Sequence, residues 1–426
     1  MKRIIIIAAL LLSAAASAQN YNVIEEVRAD RLKAAGMEGA YRFEENRLTP
    51  TPKGYRPFYI SHYGRHGSRY AWTSRAYTEI GDVLAEAKDA GNLTPFGESF
   101  LERYQKFCEV PIANTGDLVS LGEEQHARIA EEMARNFPKV FAGRKRVDAL
   151  SSVSGRCIVS MASFTTSLQK QFPKLDIHVK SNHLGMGIVA PPEAPKGYVR
   201  NFQYADPDSA NREKLGQFII RKVDVDGIMS HIFKDPSAVK HTGGTTDLLY
   251  WLYMFMGNYP NYSDPELFAD VLTDEQYTQL WETYNYSSYL TDIAERYSMI
   301  PLLEDIVSKA DIAIVNQDQA ADLRFGHDYV LEAFIALLNL DGFGTIPQKA
   351  DDVKYWFQSY RICKATNLQF VFYRSLSGSR GILFKILWNG REATIPALEA
   401  VSGPYYRWDD FRDFALGIMA AHPEIR

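Results

Sequence analysis

Apolar positions along this chain fall into two alternating rhythms. "FYISHY" at 58–63 has the run of aromatic and β-branched residues expected of a strand. "SRAYTEIGDVLAEAKDAG" then spaces Ala76, Ile80, Val83, Leu84 and Ala87 as one face of a helix that stops at Gly91. "SLGEEQHARIAEEMARNFP" sets Ser120 and Glu123 in capping-box register and ends at Pro138. "RVDALSS" predicts a short strand, "RCIVSMASFTTSLQKQFP" a helix and "LDIHVKS" another strand. Ahead of them, 19–51 reads as one or two helices and an arm.

The rhythm changes from about Asn182 to Ser298, where aromatics, Pro and Asn are frequent. The periodic parts there, such as "TTDLLYWLYMFMG" and "TDEQYTQLWETYNYSSYL", are helical. Alternation returns with "ADLRFG", a strand, and "YVLEAFIALLNLDG", a helix expected to close at Gly342. "GILFKILWNGREATIP" predicts a hairpin turning at Asn389-Gly390, and "LQFVFYRSL" supplies a partner strand. These elements predict an α/β core at 19–181 and 299–426, interrupted by a mainly helical insertion at 182–298.

Composition narrows the partners. The chain has 426 residues, of which 46% are hydrophobic and 23% charged, enough for a large core. A net charge of −5 argues against nucleic acid or an anionic membrane as the main partner. Lys2 and Arg3, the apolar stretch 4–12 and Ala16-Ser17-Ala18 read as a signal peptide over 1–18, hence an exported protein, periplasmic or secreted. Cys108, Cys157 and Cys363 form no CxxC; one disulfide or three thiols both fit.

The chemistry gathers at three strand-to-helix junctions: "YGRHGSRY" at 63–70, "SSVSGRCIV" at 151–159 and "FGHDYVL" at 325–331. In open α/β sheets, ligands bind at the carboxyl ends of strands, where helix N-termini favour anions. One site can therefore collect Arg65, His66, Arg69, Arg156 and His327, with Asp328 as its single acid. Two arginines flanking one histidine repel each other, so a buried acid or an anionic ligand must offset them. Guanidinium groups fit phosphate oxygens by forked hydrogen bonds.

"RHGSR", the spaced Ser151, Ser152, Arg156, Ser160 and Phe164, and the late His327-Asp328 pair resemble the histidine phosphatase superfamily. The likeness is to its acid phosphatase branch of phytases, glucose-1-phosphatases and multiple inositol polyphosphate phosphatases. It runs over about 55–175 and again from 321 to the C-terminus. It implies a phosphoglycerate mutase-like sandwich with a mostly parallel central sheet. It also implies a phosphomonoesterase in which His66 becomes phosphorylated and Asp328 is the proton donor. Arg65, Arg69, Arg156 and His327 would hold the phosphate, with no metal or other cofactor. Ala71 stands where the family often has proline, and Tyr329-Val330 where it often has Thr-Asn, which leaves inositol phosphate and sugar phosphate both open as substrates.

Other readings are weaker. A non-catalytic phosphate binder would need the arginines but not His66 and Asp328, and a phosphotransferase would use the same residues. Asp224 in "VDVDG" mimics a nucleophilic aspartate, but Asp226-Gly227 reads better as a turn and helix start. His62 and His66 are four apart without a third metal ligand. Lys196, Arg200, Arg212, Lys214, Arg221 and Lys222 would favour a polyphosphorylated substrate if they faced the pocket; interleaved acids make a solvated face the plainer reading.

Overall fold

The computed structural model of the chain describes residues 22–191, 209–378 and 381–425. The leader at 1–18 lies outside them, as do Lys196 and Arg200; the side chain of Arg212 is likewise not described. An eight-stranded sheet forms the centre: β1 (Tyr55–Arg65), β2 (Arg146–Ser151), β3 (Asp176–Ser181), β4 (Gln319–Gly326), β5 (Asn367–Ser375), β6 (Leu383–Trp388), β7 (Arg391–Ala393) and β8 (Tyr406–Arg407). Its order is β3-β2-β4-β1-β5-β6-β7, with β8 beside β6. Strands β3, β2, β4 and β1 are parallel, as expected, whereas β5 onward run antiparallel.

Helices cover both faces, which is why β4 reads as a nearly unbroken buried run. On one face Tyr59, Tyr63, Phe370 and Phe384 pack against helices Ile300–Val315, Asp328–Leu338 and Trp408–Ala421. On the other, Ile60, Val147, Phe325 and Val371 meet helices Ser120–Asn136 and Gly155–Gln171. The two charges inside β4 are partnered. Tyr59 donates to Asp322 (2.9 Å), and Arg324 bonds Asp305 (2.7 Å) and Ser61 (2.9 Å).

A second helical lobe holds Ser209–Lys222, Val225–Ile232, Gly244–Asn258 and Asp274–Glu295. Its apolar core is shared with residues outside 182–298: Val23 and Val27 from the arm, Tyr77 and Leu84, and Phe100 and Tyr104. Asp224 caps the helix Val225–Ile232 through the Gly227 amide (3.0 Å), so it is tied up as a helix start.

Several local expectations shift. Val119, not Ser120, caps the helix Ser120–Asn136, and no side-chain capping bond forms. The helix after β4 ends at Leu338, where Asn339 takes the left-handed conformation (φ 50°) and its Oδ1 accepts from Gly344 (2.8 Å). Asparagine replaces glycine there because its short amide satisfies the backbone locally. The β6–β7 hairpin turns where expected. Asn389 (φ 52°) and Gly390 (φ 75°) lie between the paired Trp388 and Arg391, the geometry of a type I′ turn. Cys108, Cys157 and Cys363 are free thiols.

Candidate active site

The parallel registers bring the three junctions together. Arg65 pairs with Gly326 and Ser151 with Phe325, so β1, β2 and β4 end side by side. The chain leaves β1 through His66, whose amide donates to Gly326 (2.9 Å) and whose carbonyl accepts from Ala365 (2.9 Å). Gly67 donates to Ser160 Oγ (3.1 Å) and Ser68 to Gln125 Oε1 (2.9 Å), which pins this loop onto both covering helices. A Cβ on Gly67 would lie 2.5 Å from the Gly122 carbonyl oxygen, so only glycine permits this approach.

His66 is buried, and its Nδ1 lies 2.9 Å from the Gly67 carbonyl oxygen. A carbonyl can only accept, so Nδ1 carries the proton and Nε2 keeps a lone pair. Burial, then the charges of Arg69, Arg65, Arg156 and Lys364, hold the ring well below the usual histidine range. It is therefore a neutral nucleophile with a fixed tautomer.

The His327 ring stands edge-on to His66 at 5.9 Å between centroids, and its Nε2 lies 3.0 Å from Ser152 Oγ. Burial and the charges of Arg156, Arg65 and Arg69, opposed by Asp328, lower His327 to about 4. Asp328 accepts from Arg65 at 2.5 Å through Oδ2 and from the Tyr329 amide at 3.0 Å through Oδ1. Burial alone would raise its carboxyl, but Arg65, Lys364 and Arg69 outweigh it and hold Asp328 well below the usual range. Arg156 is half-buried in the first turn of its helix, and among the described residues its Nε has no partner. All six residues singled out in the sequence thus act on one electrostatic centre.

Two charged residues that the sequence did not signal complete it. Glu38, on the turn Gly36–Glu38 of the N-terminal arm, is buried and approaches Arg69 at 3.8 Å. Lys364, also buried, bonds its other carboxylate oxygen at 2.7 Å. Asp328 is therefore not the single acid of the cluster. The opening arginines have acidic partners already: Arg65 bonds Asp328 and the carbonyls of Met37 (2.6 Å) and Ile362 (2.7 Å), and Arg69 faces Glu38. The helical lobe reaches in through Asn258, which donates to Glu38 (2.9 Å) and to the Arg69 carbonyl (3.2 Å), and through Asn261, which accepts from Ser68 Oγ (2.7 Å).

His62 packs against Phe164 and Phe325 inside the sheet layer. Among the described residues no group of three or more His, Cys, Asp or Glu could hold a metal ion. Arg221 and Lys222 pair with Asp351, and Lys222 with the buried Glu282 as well.

Residues 64–195 match the family model of the histidine phosphatase superfamily (branch 2). The match starts at "GRHGSR" and includes Arg156. Among solved structures, the multiple inositol polyphosphate phosphatase of Bifidobacterium longum, in complex with inositol hexasulfate, superposes with a TM-score of 0.73 at 16% identity, covering 90% of this chain and 97% of that one. The phytase of D. castellii gives 0.70 at 15% identity, over 96% and 88% of the two chains. Hafnia alvei phytase gives 0.55 at 13% identity, over 88% and 100%. No curated protein sequence matches the chain. The structural likenesses establish the fold that these phosphatases share.

Proposed function

We propose that this protein is an exported, metal-independent phosphomonoesterase that works through a phosphohistidine on His66. In the first step His66 Nε2 attacks phosphorus, the bond to the leaving oxygen breaks, and protonated Asp328 gives that oxygen its proton. In the second, the Asp328 carboxylate takes a proton from water as the water oxygen attacks phosphorus and the phosphorus–nitrogen bond breaks. Phosphate leaves and both residues return to their starting states. Arg65, Arg69, Arg156 and His327 hold the non-bridging oxygens through the transfer, which removes the need for a metal.

The observation that carries this reading is the fixed His66 tautomer: Nδ1 is spent on Gly67, inside a cationic shell that keeps the ring neutral. The test is incubation with ³²P-labelled substrate in the presence of EDTA, followed by rapid denaturation. Wild-type protein should carry acid-labile label and His66→Ala none. Turnover without labelled protein would overturn the covalent step.

The substrate we propose is an inositol phosphate or a sugar phosphate. Likeness to phytases and to a phosphatase solved with inositol hexasulfate supports the first. We further propose that 182–298 serves as the cap that selects the leaving group; Asn258 and Asn261 touching the nucleophile loop support this. Relative kcat/KM on inositol hexakisphosphate and glucose-1-phosphate decides between the substrates. Export rests on the leader at 1–18; among the described residues no helix is long and apolar enough to cross a membrane. N-terminal sequencing of the mature protein, expected to begin near Gln19, tests it.

A further inference from the structure

We propose that the buried Glu38–Lys364 ion pair is a positioning device that sets the pH at which Asp328 holds its proton. This rests on the reading of Asp328 as proton donor.

The pair sits directly behind that residue's anchor. Arg65 holds Asp328 with Nη2, while its Nη1 is gripped by the carbonyls of Met37 and Ile362. Met37 adjoins Glu38, and Ile362 lies two residues before Lys364. The Lys364 amide also donates to the Gly39 carbonyl (2.9 Å), which fastens the two turns together. Glu38 and Lys364, 326 residues apart, therefore meet at the back of the guanidinium that touches the donor.

A purely structural role is a poor explanation. Burying two charges is costly, and a well-packed apolar pair commonly serves stability as well or better. Both side chains are fully enclosed, and Glu38 has a second cation, Arg69, and an amide, Asn258, on its carboxylate. Burial opposes ionisation of Glu38, yet Lys364, Arg69 and Arg65 bring it down to about 2, so it is an anion at any working pH.

The charges facing Asp328 come from several elements: Arg65 at the end of β1, Arg69 in the nucleophile loop, Lys364 before β5 and His327 beside it. Tyr63 and Cys157 also feel the Asp328 charge; burial raises both, so they stay neutral. Lys364 follows Arg65 among the cations that lower Asp328. Burial, then Arg65 and Arg69, push Lys364 itself well below the usual lysine range, and Glu38, with Asp328, is the anion that keeps its proton on. Loss of either half should thus move the donor in the same direction, because Lys364 without Glu38 gives up its charge.

The experiment is the kcat–pH profile on glycerol 2-phosphate, a substrate whose alkoxide leaving group needs a proton. Lys364→Met should move the alkaline limb to higher pH by about half a unit or more, since a cation beside the carboxyl is lost. Glu38→Gln should move it in the same direction, because Lys364 then gives up its proton. The double variant should match Lys364→Met, since no further charge is left to remove from Lys364. If Lys364→Met does not fold, Glu38→Gln and the double variant still test the direction. A shift of Glu38→Gln to lower pH, or an unmoved limb in the folded variants, would overturn the proposal. Asp328→Asn is the control. Loss of the limb there supports the donor reading, whereas an unchanged limb identifies another donor and overturns both ideas.

Discussion

Arg65 reaches across 263 positions of sequence to hold the Oδ2 of Asp328 at 2.5 Å. In the free protein this contact keeps the proposed donor ionised. On the proposed mechanism, a dianionic phosphate entering the site would compete for the same guanidinium and repel the carboxylate, so the proton should be taken up as substrate binds. The proposed donor would thus be armed by its own substrate.

From that competition comes the expected pH dependence. Asp328 must be protonated for the first step, and its carboxyl starts below the usual range. The activity of kcat should therefore be highest at acidic to mildly acidic pH and fall as pH rises through the raised value in the complex. Asp328→Asn should lower kcat by about 10²–10⁴ on an alkyl phosphate. The loss should be much smaller on p-nitrophenyl phosphate, whose leaving group departs without a proton. Equal losses on the two substrates would assign Asp328 a role other than proton donation.

Arg156 separates binding from scaffold. It is half-buried, and its Nε has no partner among the described residues, unlike Arg65 with its two carbonyls and a carboxylate. Arg156→Ala should lower kcat/KM by about 10²–10³ while leaving the thermal midpoint close to wild type. Arg65→Ala should lose both activity and stability, because it strands Asp328 beside fewer cations. Differential scanning fluorimetry beside steady-state kinetics reads the contrast.

Gly67→Ala tests the contact between loop and helix. The added methyl would meet the Gly122 carbonyl oxygen at 2.5 Å and its Cα at 2.6 Å, and both are backbone atoms that cannot swing away. Destabilisation of about 1–3 kcal/mol is expected, with the His66 carbonyl contact disturbed as well. Urea denaturation should show the lower midpoint, and phosphate affinity should weaken with it.

The three junctions were legible because each joins a strand rhythm to a helix rhythm and carries charge at the seam. Parallel pairing then had to place those seams at one end of the sheet. Glu38 and Lys364 offered no such seam. Each is a lone charge in irregular chain, and its burial comes only from a contact spanning 326 residues. Asn258 and Asn261 were hidden for the same reason, within an aromatic segment that reads as packing. Periodicity located the helices but not their caps. Ser120 with Glu123 has the right spacing, yet the chain enters that helix with Val119 at the cap, its amide donating to the Ser68 carbonyl (3.0 Å). A tertiary demand thus overrode a local signal. The antiparallel outer strands came through in the Asn389-Gly390 turn, since a two-residue connection can join only antiparallel neighbours.

Behind the nucleophile, His62 and His126 make the fold sensitive to acid. Both rings are buried against Phe325. Burial, opposed by a hydrogen bond to the Arg65 backbone, lowers His126 to about 4; burial, then repulsion from a charged His126 and from Arg324, lowers His62 as well. The sign follows from linkage. Above pH 6.5 the rings are neutral in both folded and unfolded chains, and stability is unaffected. Between about 6.5 and 4 the unfolded chain binds protons that the folded one refuses, so stability falls as pH drops. For His126 alone the full effect is about 3 kcal/mol. His126→Gln should flatten the decline of the urea midpoint between pH 6.5 and 4, whereas an unaltered slope would place the acid sensitivity elsewhere. The same window contains the expected activity optimum. The pH that protonates the donor therefore also weakens the layer beneath the nucleophile, and working range is set by both.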